Sequence, residues 1–239
     1  MQLQSISKNI AATRASVVAA ARAAGRDPAD VHVLAVSKKK PAADIAAAYA
    51  EGLTDFGENY LQEAIGKIHA LAHLPLTWHF IGAIQSNKTR RIAENFQWVH
   101  TVDRARIARR LSEQCPAGRT LDACLQVNID ADPAKAGVLP GAAAALLDEV
   151  ASLPNLRVRG LMTILESSGD PLASYRRLTA LFADLAEPAD GRRGPWDTLS
   201  MGMSRDYVAA IAAGATHVRI GTDIFGARKT VPAAQPIVE

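Results

Sequence analysis

The sequence predicts an α/β fold: a single (β/α)8 barrel over residues 1–229, with an extra N-terminal helix in front of the first strand and residues 230–239 as a flexible tail. Three observations predict it. Short β-rich runs alternate with alanine-rich helical stretches along almost the whole chain, giving eight strand–helix units, the rhythm of a closed parallel barrel. Connections are short, and no stretch rich in proline, glycine or serine cuts the 239 residues in two. No GxGxxG follows an early strand, which disfavours the competing open, doubly wound sheet.

Taken in order, residues 1–24 carry Ile6, Ile10, Val17 and Val18 among alanines, a helical spacing stopped by Gly25 and turned by Asp27-Pro28. A β-rich strand covers 31–37. Pro41, suited to a first helical turn, opens a helix to Tyr49. The alternation then places strands at 53–56, 77–81, 98–101 and 121–128, each followed by a helix, at 60–69, 87–95, 104–114 and 141–153. It continues with strand 156–162, helix 174–186, a short strand at 198–199, helix 205–213 and strand 217–220. Trp78, Trp98 and Trp196 form no spaced series and read as packing.

Composition narrows the function classes. There are 46 alanines, and 19 arginines against 8 lysines. The 27 basic and 24 acidic side chains leave a net charge of only +3, and the arginine pairs are scattered, so no cationic face for nucleic acid is expected. Cys115 and Cys124 have no zinc-type spacing and read as free thiols of a reducing compartment. No window of about 20 apolar residues suggests a membrane span, and the expected location is the cytoplasm. His69 and His73 stand four apart on a helix but have no nearby acidic helix partner, so no metal is expected there. Asp130 and Asp132, beside Pro133, read as turn-formers.

In a βα barrel, chemistry sits where strands end and helices begin. Lys38, in the run Lys38-Lys39-Lys40, holds that place after strand one and shares the parity of Leu34 and Val36. A partly desolvated lysine there has a lowered pKa and can attack an aldehyde. Taken alone, three consecutive lysines are more often a solvated surface cluster. At the other end of the chain, Ser200-Met201-Gly202-Met203-Ser204 follows strand seven, and Gly221-Thr222 follows strand eight. Small residues and hydroxyls in these two loops suit the barrel's usual phosphate site, with Ser204 as a helix N-cap. Arg219 has the parity of Gly221, so it can face the barrel mouth while Val218 and Ile220 face the other way, and within an apolar strand it needs a partner: a salt bridge, an anion or a ring nitrogen.

Several runs carry a resemblance: Ala35-Val36-Ser37-Lys38-Lys39-Lys40-Pro41, Phe56-Gly57-Glu58-Asn59-Tyr60, Trp78-His79-Phe80-Ile81-Gly82 with Gln85-Ser86-Asn87-Lys88, Gly160-Leu161-Met162, Leu199-Ser200-Met201-Gly202-Met203-Ser204, and Arg219-Ile220-Gly221-Thr222 with Phe225-Gly226. From about residue 5 to Lys229 the chain resembles the pyridoxal phosphate homeostasis protein family, also called the YggS/PROSC family. It departs from the family's common pattern at Ala83-Ile84 and at Lys39.

The resemblance implies a fold-type III barrel like the N-terminal domain of alanine racemase, holding pyridoxal 5'-phosphate as an aldimine on Lys38. It implies that Ser200, Gly202, Ser204, Gly221 and Thr222 grip the phosphate, that Arg219 faces the pyridine nitrogen, and that Asn59, His79 and Met162 line the ring. Lys135 also matches a family lysine. An arginine at the ring nitrogen discourages its protonation and weakens the electron sink. The 13 residues after Gly226 leave no room for the racemases' second β-rich domain. The expectation is a non-catalytic, monomeric carrier that buffers the cofactor or hands it transiently to apo-enzymes. A minimal amino-acid racemase and a cofactor-free barrel enzyme using Lys38 on a phosphorylated metabolite are the alternatives.

Overall fold

Each strand divides its side chains between two environments. In the last one, Val218 and Ile220 join the apolar core shared with the helices, while Arg219, between them, is buried with its guanidinium hydrogen-bonded to Ser200 and Thr163 of neighbouring segments. Such a split requires a sheet with an inside and an outside, which a closed barrel supplies.

The computed structural model describes residues 2–165, 169–186 and 195–227. Its strands are β1 (His32–Val36), β2 (Asp55–Glu58), β3 (Thr77–Phe80), β4 (Trp98–Val102), β5 (Leu121–Gln126), β6 (Leu156–Met162), β7 (Thr198–Met203) and β8 (His217–Ile220). All neighbours are parallel and consecutive, and β8 closes on β1 with Ala35 opposite Ile220. The helices are α1 (Gln2–Ala23), α2 (Ala42–Ala50), α3 (Leu61–Ala70), α4 (Thr89–Asn95), α5 (Ala105–Gln114), α6 (Ala143–Ala151), α7 (Pro171–Ala186), α8 (Tyr207–Ala212) and α9 (Thr222–Phe225). Among the described residues no helix is long and apolar enough to cross a membrane. The tail expected at 230–239, with the barrel's expected limit at 229, lies outside the described residues.

The extra N-terminal helix is as expected. α1 buries Ile6, Ile10 and Val17 against α2, α8 and α9. Polar contacts fix its place: Asn9 Nδ2 donates to the Ile224 carbonyl at 3.1 Å, and the Tyr207 hydroxyl donates to Ser16 Oγ at 2.7 Å.

The boundaries differ at three places that matter for function. β2 runs to Glu58, two residues past the expected end, because Asp55 to Glu58 pair in register with Thr77 to Phe80. β7 extends to Met203, since β6 pairs with it as far as Ser200 and β8 carries the ladder on to Met203, opposite Arg219. α8 starts at Tyr207, with Asp206 rather than Ser204 as N-cap. The Met203 N–H donates to Asp206 Oδ1 at 2.6 Å and the Asp206 N–H to the Met203 carbonyl at 3.0 Å, closing a turn before the helix can begin.

Candidate functional site

β1 ends at Val36, and its polypeptide is carried further by the Ser37 N–H, which donates to the Gly57 carbonyl at 3.0 Å. Lys38 and Lys39 then form the middle of a turn closed by the Lys40 N–H donating to the Ser37 carbonyl at 3.0 Å, with Lys39 at φ +62°. The three lysines separate in this turn. Lys39 is exposed, its Nζ 5.7 Å from the Tyr60 ring centroid. Lys40 Nζ donates to the carbonyls of Phe225 and Gly226 at 2.8 and 3.1 Å, tying β1's turn to the loop after β8. Lys38 is half-buried.

Beneath the turn lies an ion-pair cluster that sequence reasoning missed. Lys67, on α3, is 6% exposed, and its ammonium donates to Glu58 Oε1 at 2.7 Å, Glu63 Oε1 at 2.5 Å and the Ser37 carbonyl at 2.8 Å. Three acceptors saturate its three hydrogens. Ser37 Oγ donates to Glu58 Oε1 at 2.6 Å, and the Lys39 N–H donates to Glu63 Oε1 at 2.5 Å. Both sides of Lys38 are thereby held to one cluster. Burial raises the Glu58 pKa against the opposing pull of Lys67 and Ser37.

At the ends of β2 and β3, Gly82 lets two backbones meet, because a Cβ there would stand 2.2 Å from the Asn59 carbonyl oxygen. Asn59 Nδ2 donates to the Ile81 carbonyl at 3.4 Å, which directs Oδ1 the other way. Asn59 Oδ1 and Glu58 Oε2 are buried acceptors with no hydrogen-bond partner among the described residues.

The barrel interior holds a continuous polar line. Arg219 is 4% exposed; its Nη1 donates to the Ser200 carbonyl at 2.7 Å and to Ser200 Oγ at 2.9 Å, and its Nη2 donates to the Thr163 carbonyl at 2.8 Å. Ser200 Oγ lies 2.8 Å from His100 Nδ1, His100 Nε2 lies 2.9 Å from His79 Nδ1, and His79 Nε2 lies 3.0 Å from Asp55 Oδ1. Burial lowers the pKa of both histidines, that of His100 furthest, so both rings are neutral at neutral pH. Burial also lowers that of Arg219. For Asp55, burial opposes ionisation, but hydrogen bonds from His79 and Thr54 hold its pKa below the usual value. His217 and Trp98 flank this line with ring centroids 5.8 Å apart, and burial pushes His217 down to about 3.

Above Arg219, the loops after β7 and β8 present backbone donors. The N–H groups of Ser204, Arg205, Thr222 and Asp223 make no backbone hydrogen bond among the described residues. Gly202, at φ +87°, brings β7's end onto α8, and Gly221 lies against Val36, where a Cβ would stand 3.1 Å from the Val36 oxygen. Donors after β7 and β8 beside a lysine after β1 form a pocket rim suited to an anion and a carbonyl on one molecule.

The structure thus gathers Lys38, Gly202, Ser204, Gly221 and Thr222 at strand ends on one face of the barrel, with Arg219 beneath them. Asn59 and Met162 follow or end β2 and β6 on that same face. Ser200 and His79 lie deeper: Ser200 is 0% exposed with its hydroxyl between Arg219 and His100, and His79 is 1% exposed with both ring nitrogens engaged. His100 was not singled out from the sequence; its parity with Trp98, two residues earlier on β4, was the available signal.

Comparison with known proteins follows the same outline. The family model described as alanine racemase, N-terminal domain, matches residues 3–229. A pyridoxal phosphate homeostasis protein of Pseudomonas aeruginosa is 58% identical over 227 residues, covering 95% of this chain and 97% of that protein. One from Escherichia coli is 46% identical over 233 residues, covering 95% and 98%. PipY of Synechococcus elongatus, solved with PLP bound, superposes with a TM-score of 0.81 at 38% identity over 92% of this chain and 100% of that one. Alanine racemase from Corynebacterium glutamicum shares the fold alone, with a TM-score of 0.63 at 16% identity, and 63% of its chain is covered.

Proposed function

The chain belongs to the pyridoxal phosphate homeostasis protein family, built on the alanine racemase N-terminal barrel, and on that premise we propose that it binds pyridoxal 5'-phosphate covalently through Lys38 and buffers or delivers it without catalysing a reaction of its own. The observation that carries the reading is the meeting at one barrel face of Lys38, the N–H groups after β7 and β8 that make no backbone hydrogen bond among the described residues, and the Arg219 guanidinium below them.

The residues present fit the cofactor. Asn59 Oδ1 is a buried acceptor awaiting a donor. Ser204, Thr222 and the backbone at Gly202 and Gly221 would hold the phosphate, with Lys38 within the turn that the Lys67 cluster anchors. Met162, 0% exposed at the end of β6, would pack under the ring, with His79 one layer deeper. Ser200 contributes through the guanidinium that its hydroxyl touches. When bound, the cofactor supplies an electrophilic carbonyl carbon conjugated to an electron-withdrawing ring. Arg219 would face the ring nitrogen as a donor, which would disfavour its protonation and so limit carbanion chemistry. We place the protein in the cytoplasm, in keeping with Cys115 and Cys124 being free and buried, and take it to act as a monomer.

The test is the visible spectrum of the protein incubated with pyridoxal 5'-phosphate, before and after borohydride, with Lys38→Ala alongside. Wild type should take up colour that borohydride fixes to the chain, and Lys38→Ala should not. A colourless wild type overturns the reading, and unchanged fixation in Lys38→Ala overturns the lysine assignment. Substantial racemisation of L-alanine by the loaded wild type would replace the carrier by an enzyme.

A further inference from the structure

A histidine in the middle of a barrel strand, 0% exposed and remote from the rim, has no part in holding a phosphate or a carbonyl carbon, yet His100 is bonded at both ring nitrogens. The line it belongs to begins at an obligate donor, the Arg219 guanidinium, and ends at an obligate acceptor, the Asp55 carboxylate. Between such ends the protons have one arrangement. Asp55 can only accept, so His79 carries its hydrogen on Nε2 and offers a lone pair at Nδ1. His100 must then donate from Nε2 and accept at Nδ1, and Ser200 must donate its hydroxyl hydrogen to that nitrogen. This leaves a Ser200 Oγ lone pair directed at Arg219 Nη1. Turning any one member over would set two lone pairs or two hydrogens against each other in a buried interior, a cost that each bond of the line helps to prevent.

We propose that His100, held by His79 and Asp55, is a positioning residue for Arg219: acting through Ser200 Oγ, it fixes the guanidinium so that the Nε hydrogen and the second Nη2 hydrogen remain for a partner at the mouth. These two hydrogens make no hydrogen bond among the described residues, whereas both Nη1 hydrogens go to Ser200 and one Nη2 hydrogen to Thr163. The inference rests on the reading of Arg219 as the group facing the cofactor ring. It also makes Asp55, at the first residue of β2 on the opposite end of the barrel, a remote contributor to that ring's environment.

The experiment compares wild type with His100→Phe, Asp55→Leu and Asp55→Asn, the last retaining an acceptor for His79. Asp55 is partly exposed, with 39% of its side-chain surface accessible, so its variants test the line even where His100→Phe misfolds. The first readout is nitrogen-detected NMR of the protein without cofactor. His79 and His100 should each carry hydrogen on Nε2 only, and the Arg219 guanidinium should show hindered rotation that His100→Phe and Asp55→Leu release and Asp55→Asn preserves. The second readout is the loaded protein: release of the cofactor should quicken about tenfold in His100→Phe and Asp55→Leu. The pH at which the visible band titrates should rise by about one unit, because a loosened guanidinium no longer repels a proton at the ring nitrogen. Arg219 signals that are identical in wild type, His100→Phe and Asp55→Leu overturn the proposal whether or not the cofactor binds. Altered Arg219 signals with an unchanged band and release rate also overturn it, while leaving the binding reading in place. Failure of wild type to take up the cofactor removes only the binding reading, and the NMR comparison still decides whether His100 positions Arg219.

Discussion

Lys67 shows how much a single buried charge can organise. Among the described residues its ammonium is the one cation paired with Glu58, whose carboxylate is 0% exposed, and it also grips the Ser37 carbonyl that precedes Lys38. Removing one partner of a buried pair leaves the other uncompensated, at a cost of about 3–5 kcal/mol. Lys67→Met should therefore lose about that much in urea unfolding, and Lys67→Met with Glu58→Gln should regain at least half, since glutamine keeps an acceptor for Ser37 Oγ and carries no charge. If the double variant is no more stable than the single one, the loss comes from packing of the lysine stem and the electrostatic account fails. Nothing in the sequence separates Lys67 from the seven other lysines, because its burial depends on Glu58 and Ser37 arriving from other strands. Lys38 was singled out by its place after strand one and by its motif, but β1 stops at Val36 and a turn carries Lys38, so strand parity does not reach it, and the cluster that holds that turn was not legible.

At the scale of the element, β7 is the instructive case. Leu199-Ser200-Met201-Gly202-Met203 has little β-branched character, and local propensity justifies only its first two residues as strand. The structure extends it to Met203 because β6 pairs as far as Ser200 and β8 continues the ladder to Met203, tertiary pairing overriding propensity. The eight strands and their helices were otherwise readable from alternation, since each apolar run has to face the helical layer whatever its exact ends. Gly202 is where β7 turns into α8. It adopts φ +87°, and a Cβ there would lie 2.5 Å from Ala210 Cβ and 2.9 Å from Tyr207 Cα. Gly202→Ala should cost about 2–4 kcal/mol by combining backbone strain with overpacking. Gly118→Ala, at φ +76° with nothing within 4 Å, carries the strain alone and should cost about 1 kcal/mol. Equal losses in the two variants, measured by thermal or urea unfolding, would mean that α8 yields to the added methyl and does not hold β7's end in place.

For the molecule as a whole, the decisive quantity is how many histidines the barrel keeps neutral. His79, His100 and His217 all have lowered pKa values, with burial the largest cause in each, and His217 lies at about 3. In the unfolded chain each binds a proton near pH 6.5, so below that pH the unfolded state holds more protons than the native one, and stability falls as the pH falls. For His217 the loss at pH 5 is about 2 kcal/mol, from about 1.5 pH units at about 1.4 kcal/mol each. His79 and His100 add losses of the same sign. Glu58 acts in the other direction, because its raised pKa lets the native state take up a proton first as the pH falls. Asp55 and Asp197, with lowered pKa values, lose their contribution only in stronger acid, below the usual carboxylate range. Three histidines against one glutamate leave a net decline, so urea unfolding should show markedly lower stability at pH 5 than at pH 7. His217→Leu should remove about 2 kcal/mol of that difference. A variant whose pH dependence matches wild type would show that His217 takes up its proton as readily in the folded barrel as in the unfolded chain. The same acid loss bears on function, because a proton forced onto His79 or His100 reverses a donor in the only arrangement that aims Ser200 at Arg219.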